Sequence, residues 1–152
     1  MPAPGATPDQ QVPLLADMLC FDLYAASRAM TAVYRPLLDA QGLTYPQYLV
    51  LVVLWRGGPT RIREIGDALR LDHGTLTPLL RRMEDRGLVT RERASGDGRS
   101  VTVALAPAGE ELRPFLAEVQ DTVGDALGLS SDDVEALQRT LRSLTGTLAR
   151  EA

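Results

Sequence analysis

The chain has a single cysteine, Cys20, and it is followed by tyrosines at Tyr24, Tyr34 and Tyr45. A lone cysteine cannot form a disulfide within its own chain, so it is either an inert small apolar residue or a thiol whose reaction partner comes from outside. Inert cysteines are the commoner case. Two interpretations of Cys20 therefore stay open until the rest of the sequence is considered: a structural residue and a redox sensor.

The composition is typical of one soluble globular domain, with 152 residues, of which 45% are hydrophobic and 24% charged. Residues 1–13 are rich in Pro, Ala, Gly and Gln and predict a disordered tail without the basic start and apolar run of a secretory signal. The longest apolar run, Tyr48–Trp55, is too short to span a membrane. These features predict a cytoplasmic protein with a reduced thiol.

Charge is distributed unevenly along the chain, whose net charge is −4. Residues 60–106 carry nine arginines against seven acids, whereas residues 107–152 carry four arginines against nine acids. A positive middle segment in an acidic protein is where we expect nucleic acid to bind. The chain contains arginine but no lysine. Arginine suits phosphate contacts, but a GC-rich genome explains the absence of lysine better.

Helical spacing of apolar residues over 14–40 predicts one long helix that ends near Gly42. Thr44 is the predicted cap of the next helix, with Pro46 in its first turn. The apolar run at 48–55 suits a buried strand or a buried helix, and Pro46 favours the helix. Two successive helices are therefore predicted before the positive segment.

Two short helices joined by a turn are predicted within the positive segment. Thr60 is the predicted cap of the first, at 61–70, and the second, at 75–86, has apolar residues at spacings of three and four. Such a pair is a helix-turn-helix, whose second helix can lie in the major groove of DNA.

The first residue of that second helix stays open. With Thr75 as its cap, Pro78 falls in the first turn, where its missing amide hydrogen costs little. With Asp72 as its cap, Pro78 lies deeper and would kink the helix.

A β-hairpin is predicted directly after the helix-turn-helix. Alternating side chains at 89–93 and 101–105 indicate two strands, and residues 94–100 between them suit a turn. A helix-turn-helix followed by a hairpin is a winged helix, and this order is more specific than the helix-turn-helix spacing alone.

Two further helices are predicted at 112–127 and 130–148. Ser130 and Asp133 have the spacing of a capping box at the start of the second. The leucines of that helix recur at alternating spacings of three and four, a narrow seam like that of a coiled coil. A single winged helix does not need such a seam, so we expect a homodimer.

The predicted fold class is therefore mainly α with a small β-hairpin wing: a winged helix-turn-helix with additional N- and C-terminal dimerisation helices. The predicted organisation is a tail at 1–13 and one domain at 14–152, with dimerisation helices at 14–42 and 107–152 and a DNA-binding region at 44–106. This order of elements resembles the MarR family of dimeric repressors.

Local segments resemble one branch of that family, the organic hydroperoxide repressors (OhrR) of the one-cysteine type. The matching segments are 19–28 (LCFDLYAASR), 43–48 (LTYPQY) and 74–80 (GTLTPLL), and the resemblance extends from about residue 14 to the end. The cysteine segment is specific to OhrR, whereas the wing sequence Asp97-Gly98-Arg99-Ser100 is family-wide.

The resemblance implies that Cys20 is a redox sensor at the dimer interface, held by the hydroxyls of Tyr34 and Tyr45 of the opposite subunit, with Tyr24 lining the same pocket. An organic hydroperoxide would oxidise the thiolate to a sulfenic acid. Because no second cysteine is present, a low-molecular-weight thiol would then form a mixed disulfide with Cys20, and the dimer would release its operator. Ordinary core packing is the alternative for the tyrosines.

The resemblance also implies contacts with double-stranded operator DNA. Base edges would be met by His73, Gly74, Thr75 and Thr77, and phosphates by Arg81 and Arg82. OhrR proteins commonly have a small polar residue where His73 stands. At the wing tip, Arg99 would enter the minor groove, oriented by Asp97. Ordinary solvated side chains are the alternative for this set.

Other classes of function are less well supported. His73 is the only histidine, so no metal site is predicted, and the sequence implies no cofactor and no membrane. A thiol peroxidase using Cys20 would leave the winged helix unexplained and would lack a resolving cysteine, so we expect no enzymatic activity. A repressor that binds a small aromatic ligand, with Cys20 not functional, is the alternative within the same family.

Overall fold

The computed structural model describes residues 15–93 and 100–152. Its helices are α1 (Leu19–Asp39), α2 (Tyr45–Gly57), α3 (Ile62–Leu69), α4 (His73–Asp85), α5 (Pro107–Glu111), α6 (Arg113–Leu127) and α7 (Ser131–Glu151). Its strands are β1 (Thr60–Arg61), β2 (Val89–Arg93) and β3 (Val101–Leu105). The predicted fold class, mainly helical with a small antiparallel sheet, is confirmed. The predicted tail at 1–13 and most of the predicted turn, 94–99, lie outside the described residues.

Local sequence explains where α1 ends and α2 begins. The chain turns at Gly42, whose φ of 63° lies in the left-handed region that glycine adopts without strain. Thr44 then caps α2: its hydroxyl oxygen accepts from the Gln47 N–H at 3.3 Å, while the Gln47 side-chain oxygen accepts from the Thr44 N–H at 3.1 Å. The prediction of a buried helix over 48–55 is confirmed: Tyr48, Val50, Leu51 and Leu54 lie in the core, and the other side chains of the run are half-buried.

The prediction that Thr60 caps the next helix is wrong. Thr60 and Arg61 form β1, which pairs with β3, so α3 begins only at Ile62. The Thr60 hydroxyl donates to the Gly58 carbonyl oxygen at 2.8 Å, and the Arg61 N–H donates to the Glu64 carboxylate at 3.3 Å. The partner strand lies far along the chain, so no local pattern indicated this pairing.

Helix α4 begins at His73, because Asp72 rather than Thr75 is its cap. The Asp72 carboxylate accepts from the Thr75 N–H at 2.7 Å. Pro78 therefore lies inside the helix, where it has no N–H to donate to the Gly74 carbonyl one turn earlier. The structure thus selects one of the two starts that the sequence left open.

The strands form one antiparallel sheet in the order β1-β3-β2. The hairpin register pairs Arg93 with Val101 at its far end, and the Val103 side chain is fully buried. Helix α5 lies so close to the residue before β2 that a Cβ at Gly109 would overlap the Leu88 carbonyl oxygen. The wing is therefore attached to the core at its base through both apolar packing and a glycine contact.

The chain divides after Val119 into two compact units, and the second contains α7. Ser130 caps α7: its hydroxyl oxygen accepts from the Asp133 N–H at 3.2 Å, and its hydroxyl donates to the Asp133 carboxylate at 2.7 Å. The predicted cap by Ser130 is therefore confirmed, but the reciprocal half of the predicted capping box is not formed, because the Asp133 carboxylate accepts from the Ser130 hydroxyl and not from the Ser130 N–H. No residue of α7 is buried. Across residues 15–93 and 100–152, no helix is long and apolar enough to cross a membrane.

Candidate thiol site and nucleic-acid interface

Cys20 is the second residue of α1, and its side chain is exposed. Its neighbours Leu19 and Phe21 are also exposed, over 62% and 40% of their surface. Cys20 is therefore not a core residue of this chain, and it lies in an apolar surface that solvent or a partner can reach.

Tyr34 lies on the same helix as Cys20 but far from it. Fourteen residues separate the two positions, which corresponds to about 21 Å along the helix axis. Tyr45 begins α2 and packs beside Tyr34. The thiol of a chain therefore cannot touch the hydroxyls of its own Tyr34 and Tyr45.

Three tyrosines pack together where α1 is followed by α2. The ring centroids of Tyr34 and Tyr45 are 5.0 Å apart in an edge-to-face arrangement. The ring centroid of Tyr48 lies 5.6 Å from that of Tyr34 and 6.1 Å from that of Tyr45. The structure thus brings together the two tyrosines that the sequence singled out and adds a third, which the sequence indicated only as part of a buried run. The spacing of three between Tyr45 and Tyr48 could have indicated their shared helix face.

The hydroxyls of Tyr34 and Tyr45 keep their protons. Burial, followed by the neighbouring Tyr48 and Tyr45, raises the pKa of Tyr34 to about 12. Burial also raises the pKa of Tyr45. Both groups are therefore neutral at physiological pH and can donate a hydrogen bond to an anion such as a thiolate.

A cleft of about 250 Å³ opens beside the cluster. Its walls are Thr31, Tyr34, Arg35, Leu38, Asp39, Leu43, Thr44 and Tyr45. Such a mixed apolar and polar lining suits a side chain or a small organic molecule with one polar group. In the part of the chain that the structure describes, no group of His, Cys, Asp or Glu side chains could hold a metal ion. The chemistry available at the cleft is therefore that of its hydroxyl groups and charged rim.

Tyr24 lies outside the cluster. Its ring is 58% exposed and lies 5.5 Å from the Arg28 guanidinium carbon, and its hydroxyl accepts from Arg28 at 3.3 Å. It lies one helical turn after Cys20, as the spacing predicted. An exposed cation–π pair contributes only ~0.5–1 kcal/mol, so Arg28 restrains the Tyr24 ring weakly.

The first turn of α4 presents a polar surface on which His73, Gly74 and Thr75 are exposed. Thr77 differs, because its hydroxyl oxygen is buried without a hydrogen-bond partner among the described residues. A base contact through that hydroxyl requires rotation of the side chain. Hydrogen bonds from Thr75, first from its backbone N–H, lower the pKa of Asp72, so the cap is ionised at neutral pH.

The remaining DNA-binding candidates fall into two groups. Arg81 and Arg82 are exposed, and neither forms an ion pair with another described residue, so both are free to meet phosphates. Asp97 and Arg99 belong to 94–99 and lie outside the described residues, although the strands on either side of them are described.

Arg86 is a structural link that the sequence did not single out. Its guanidinium, just after the end of α4, donates to the carbonyl oxygens of Gln41 and Gly42 in the turn that follows α1. In the last turn of α4, Glu84 forms an ion pair with Arg91 of β2. The end of α4 is therefore tied both to the turn after α1 and to the wing. These partners are 44 and 45 residues from Arg86, so local sequence carried no indication of them.

Comparison with known proteins places these features in a family. The chain matches the MarR family model over residues 43–101. It is 43% identical over 134 residues to the organic hydroperoxide resistance transcriptional regulator of Bacillus subtilis (strain 168), covering 88% of this chain and 91% of that protein. It is 44% identical over 138 residues to the regulator TtmR of Methylorubrum extorquens (strain PA1), covering 91% of this chain and 71% of that protein.

A solved structure shows the same fold. Reduced AbfR bound to DNA, a protein of Staphylococcus epidermidis, is 33% identical with a TM-score of 0.74, covering 93% of this chain and 99% of that chain. Members of the matched family bind DNA and act as dimers, and these relatives are regulators rather than enzymes. The likeness covers nearly the whole chain and not only the winged helix, so the chain belongs to the MarR family of transcriptional regulators.

Proposed function

We propose that this regulator is a dimeric repressor that senses organic hydroperoxides through Cys20 and leaves its operator when that thiol is oxidised. One observation carries the proposal: Cys20 is exposed at one end of α1, while the rings of Tyr34 and Tyr45, whose hydroxyls stay neutral, pack together towards the other end. The likeness to the Bacillus subtilis regulator, named for organic hydroperoxide resistance, supports the same response here.

A two-fold axis would unite these separated parts. If the α1 helices of two subunits run antiparallel, the thiol at the start of one helix comes opposite the tyrosines near the end of the other. The exposed Leu19 and Phe21 would be covered in the same arrangement, which favours association. Each dimer would then hold two sites, each made from Cys20 of one subunit and the partner's Tyr34 and Tyr45.

The chemistry of such a site follows from its donors. Hydrogen bonds from two neutral hydroxyls favour the thiolate, which is the nucleophilic form of cysteine. The thiolate attacks the distal oxygen of a hydroperoxide ROOH: an S–O bond forms, the O–O bond breaks, and the alkoxide leaves and takes a proton from water to become ROH. Cys20 is thereby oxidised to a sulfenic acid and the hydroperoxide is reduced to an alcohol.

Cys20 has no second cysteine in its chain with which to form a disulfide. A low-molecular-weight thiol therefore condenses with the sulfenic acid: an S–S bond forms, and the sulfenic hydroxyl leaves as water with the proton of the thiol. The adduct adds bulk beside the tyrosine cluster. Because Arg86 ties the turn after α1 to the end of α4, a shift at the interface is passed to the DNA-reading helix.

On operator DNA, α4 enters the major groove, and the wing follows the minor groove. Base edges are met from the exposed first turn of α4, phosphates by Arg81 and Arg82, and the minor groove by Arg99 with Asp97. Residues 44–106 form this reading unit, whereas 14–42 and 107–152 join the subunits. The exposed surface of α4 and the absence of any buried residue in α7 support this division.

The proposal is tested by gel shift on the regulator's own promoter, with and without cumene hydroperoxide, for the natural protein and for Cys20→Ser. We expect both reduced proteins to bind, and only the natural protein to lose binding when the hydroperoxide is added. Intact-mass spectrometry with an added thiol should then show one thiol adduct per chain. Release of both proteins, or of neither, contradicts the sensor model.

The cleft favours a second candidate function, a repressor released by a small aromatic ligand. Its volume of about 250 Å³ and its tyrosine and arginine walls suit an aromatic acid. In that case Cys20→Ser leaves ligand-induced release intact, and the hydroperoxide has no effect on the natural protein.

A further inference from the structure

We infer that the cleft beside the tyrosine cluster binds the amino-acid end of the thiol that condenses with Cys20, so that this thiol is an α-amino-acid thiol such as free cysteine. The inference rests on the proposed function, because it names the chemical class of the thiol at the same site. Arg35 binds the carboxylate of that molecule, and Asp39 binds its ammonium group. Thiol chemistry alone does not require this choice, because any small thiol can condense with a sulfenic acid.

The cleft lies where the proposed mechanism places the mixed disulfide. Tyr34 and Tyr45 form part of its wall, and these are the residues that we propose to hold the partner's Cys20. A small molecule joined to that Cys20 through sulfur therefore has its remaining atoms next to the cleft. The cleft volume of about 250 Å³ lies below the roughly 300–1,000 Å³ of sites for drug-sized ligands, which favours a small occupant.

Two opposite charges line the cleft on consecutive turns of α1. Arg35 and Asp39 are both exposed, and both belong to the cleft wall. At their spacing of four, the Cβ atoms of two helical residues lie about 5–6 Å apart. Neither residue forms an ion pair with another described residue, and the order with the basic residue first is the weaker one for a pair within a helix. Both charges are therefore available to a ligand.

An α-amino acid has the matching pair of charges on a single carbon atom. The Arg35 guanidinium can donate two parallel hydrogen bonds to its carboxylate, and the Asp39 carboxylate can accept hydrogen bonds from its ammonium group. An acid without an ammonium group would meet Asp39 as a like charge, and a simple amine would meet Arg35 in the same way. The two residues together therefore select a zwitterion over a thiol with one charge.

The condensation needs no reactant beyond this thiol. The sulfur of the amino-acid thiol attacks the sulfur of the Cys20 sulfenic acid: an S–S bond forms, the S–O bond breaks, and the hydroxide leaves as water with the proton of the thiol. Binding in the cleft accelerates the step because it holds the attacking sulfur near Cys20. Loss of either charged contact should slow the step by about two- to tenfold.

The test follows the rate of adduct formation by intact-mass spectrometry on the full-length protein, after cumene hydroperoxide has oxidised Cys20. Four thiols are compared: free cysteine with both charges, β-mercaptopropionate with only the carboxylate, cysteamine with only the ammonium group, and β-mercaptoethanol with neither. Each is added to the natural protein, to Arg35→Gln and to Asp39→Asn. Arg56→Gln is the matched control, because it removes an exposed arginine outside the cleft.

We expect Arg35→Gln and Asp39→Asn each to slow the reaction with cysteine by about two- to tenfold. Arg35→Gln should also slow β-mercaptopropionate but not cysteamine, and Asp39→Asn should slow cysteamine but not β-mercaptopropionate. No variant should slow β-mercaptoethanol, and Arg56→Gln should slow none of the thiols. Cysteine is the decisive thiol, because its carboxylate and ammonium charges cancel and the general field of the protein surface has little effect on its rate.

The outcomes separate this inference from the proposed function. A natural protein whose Cys20 is not oxidised, or whose sulfenic acid forms no adduct with any of the thiols, overturns the proposed function and this inference with it. A natural protein that forms adducts, while both variants react with cysteine at the natural rate, overturns this inference alone. Equal slowing of all four thiols in a variant also overturns it, because that result indicates damage to the thiol site rather than loss of a charged contact.

Discussion

The winged-helix region buries its apolar side chains, whereas the last helix, α7, leaves its apolar side chains exposed. Within 44–106, side chains such as Leu51, Leu80 and Val103 are fully buried. In α7 no residue is buried, and Leu137 and Leu148 remain 49% and 57% exposed. A region that buries its own apolar side chains can be stable within one chain. A helix with a regular row of exposed leucines is instead expected to pack against a partner subunit.

The proposed DNA-binding surface of α4 and the proposed sensing site around Cys20 differ in the same way, in whether one chain supplies all of the packing. The exposed first turn of α4 rests on a core supplied entirely by its own chain. Cys20, in contrast, lies among exposed apolar residues. It is about 21 Å along α1 from Tyr34, which we propose to bind the Cys20 thiol of the other subunit. The winged helix is thus complete in one chain, whereas the proposed sensor requires two chains.

The largest effect is expected at the seam of α7. Leu137→Glu with Leu148→Glu removes two apolar side chains from each subunit, each worth ~1.5–3 kcal/mol when buried, so the dissociation constant of the dimer should rise by more than about 100-fold. Sedimentation velocity over a dilution series measures it. Ser143→Glu with Gly146→Glu adds the same charge away from the seam and should leave the dimer intact. Equal dissociation by both pairs contradicts the seam.

A core leucine should behave in the opposite manner. Leu51→Ala opens a cavity within the chain and should lower the free energy of unfolding by about 2–5 kcal/mol, as measured by urea titration. Under conditions in which the protein is monomeric, Leu137→Ala should change it by less than about 0.5 kcal/mol. If the two variants were equally destabilised as monomers, the division between a self-contained region and an unpartnered helix would be wrong.

Gly109 tests how closely the wing is packed. In Gly109→Ala the new Cβ overlaps the Leu88 carbonyl oxygen, which is backbone and cannot move aside, so a loss of about 1–3 kcal/mol is expected in thermal unfolding. Gly124→Ala is the matched control, because a Cβ there meets nothing within 4 Å and alanine is the better helix former. We expect Gly124→Ala to be neutral or stabilising; a loss in both variants would indicate a general effect of alanine.

The smallest effect concerns the cap of α4. The pKa of Asp72 is lowered in the folded state by the Thr75 hydrogen bonds, so its contribution to stability is present above its unfolded pKa and is lost as the pH falls below about 4. Asp72→Asn keeps a capping oxygen that does not titrate. Thermal melts of both proteins between neutral and acidic pH should therefore converge as acid is added. Parallel curves would show that Asp72 plays no part in the pH dependence.

Several elements were predictable because their cause lies within a few residues. Thr44 and Gln47 form a capping box, the Ser130 hydroxyl caps α7, and Gly42 adopts a positive φ where the sequence predicted the end of α1. In each case the hydrogen-bond partner or the steric requirement is local. The start of α4 was harder, since Asp72 and Thr75 both suit a cap and only the folded turn selects between them.

Other features depend on residues that the chain brings together from a distance. Thr60 is a strand residue because Val103 pairs with it, and Arg86 has a role because Gln41 and Gly42 present carbonyl oxygens to it. Tyr48 looked like one more residue of a buried run until the fold placed it against Tyr34. Long-range pairings of this kind leave no periodicity for a sequence pattern to show.

The sequence by itself determined the order of the main helices and of the hairpin, the caps of α2 and α7 and the presence of one thiol, because periodicity, capping and composition act locally or by count. The tertiary structure decided that the thiol is exposed, that the tyrosines cluster far from it along α1, and that α4 is tied to the turn after α1. Those facts depend on which side chains meet across the fold, and only packing of the whole chain fixes that.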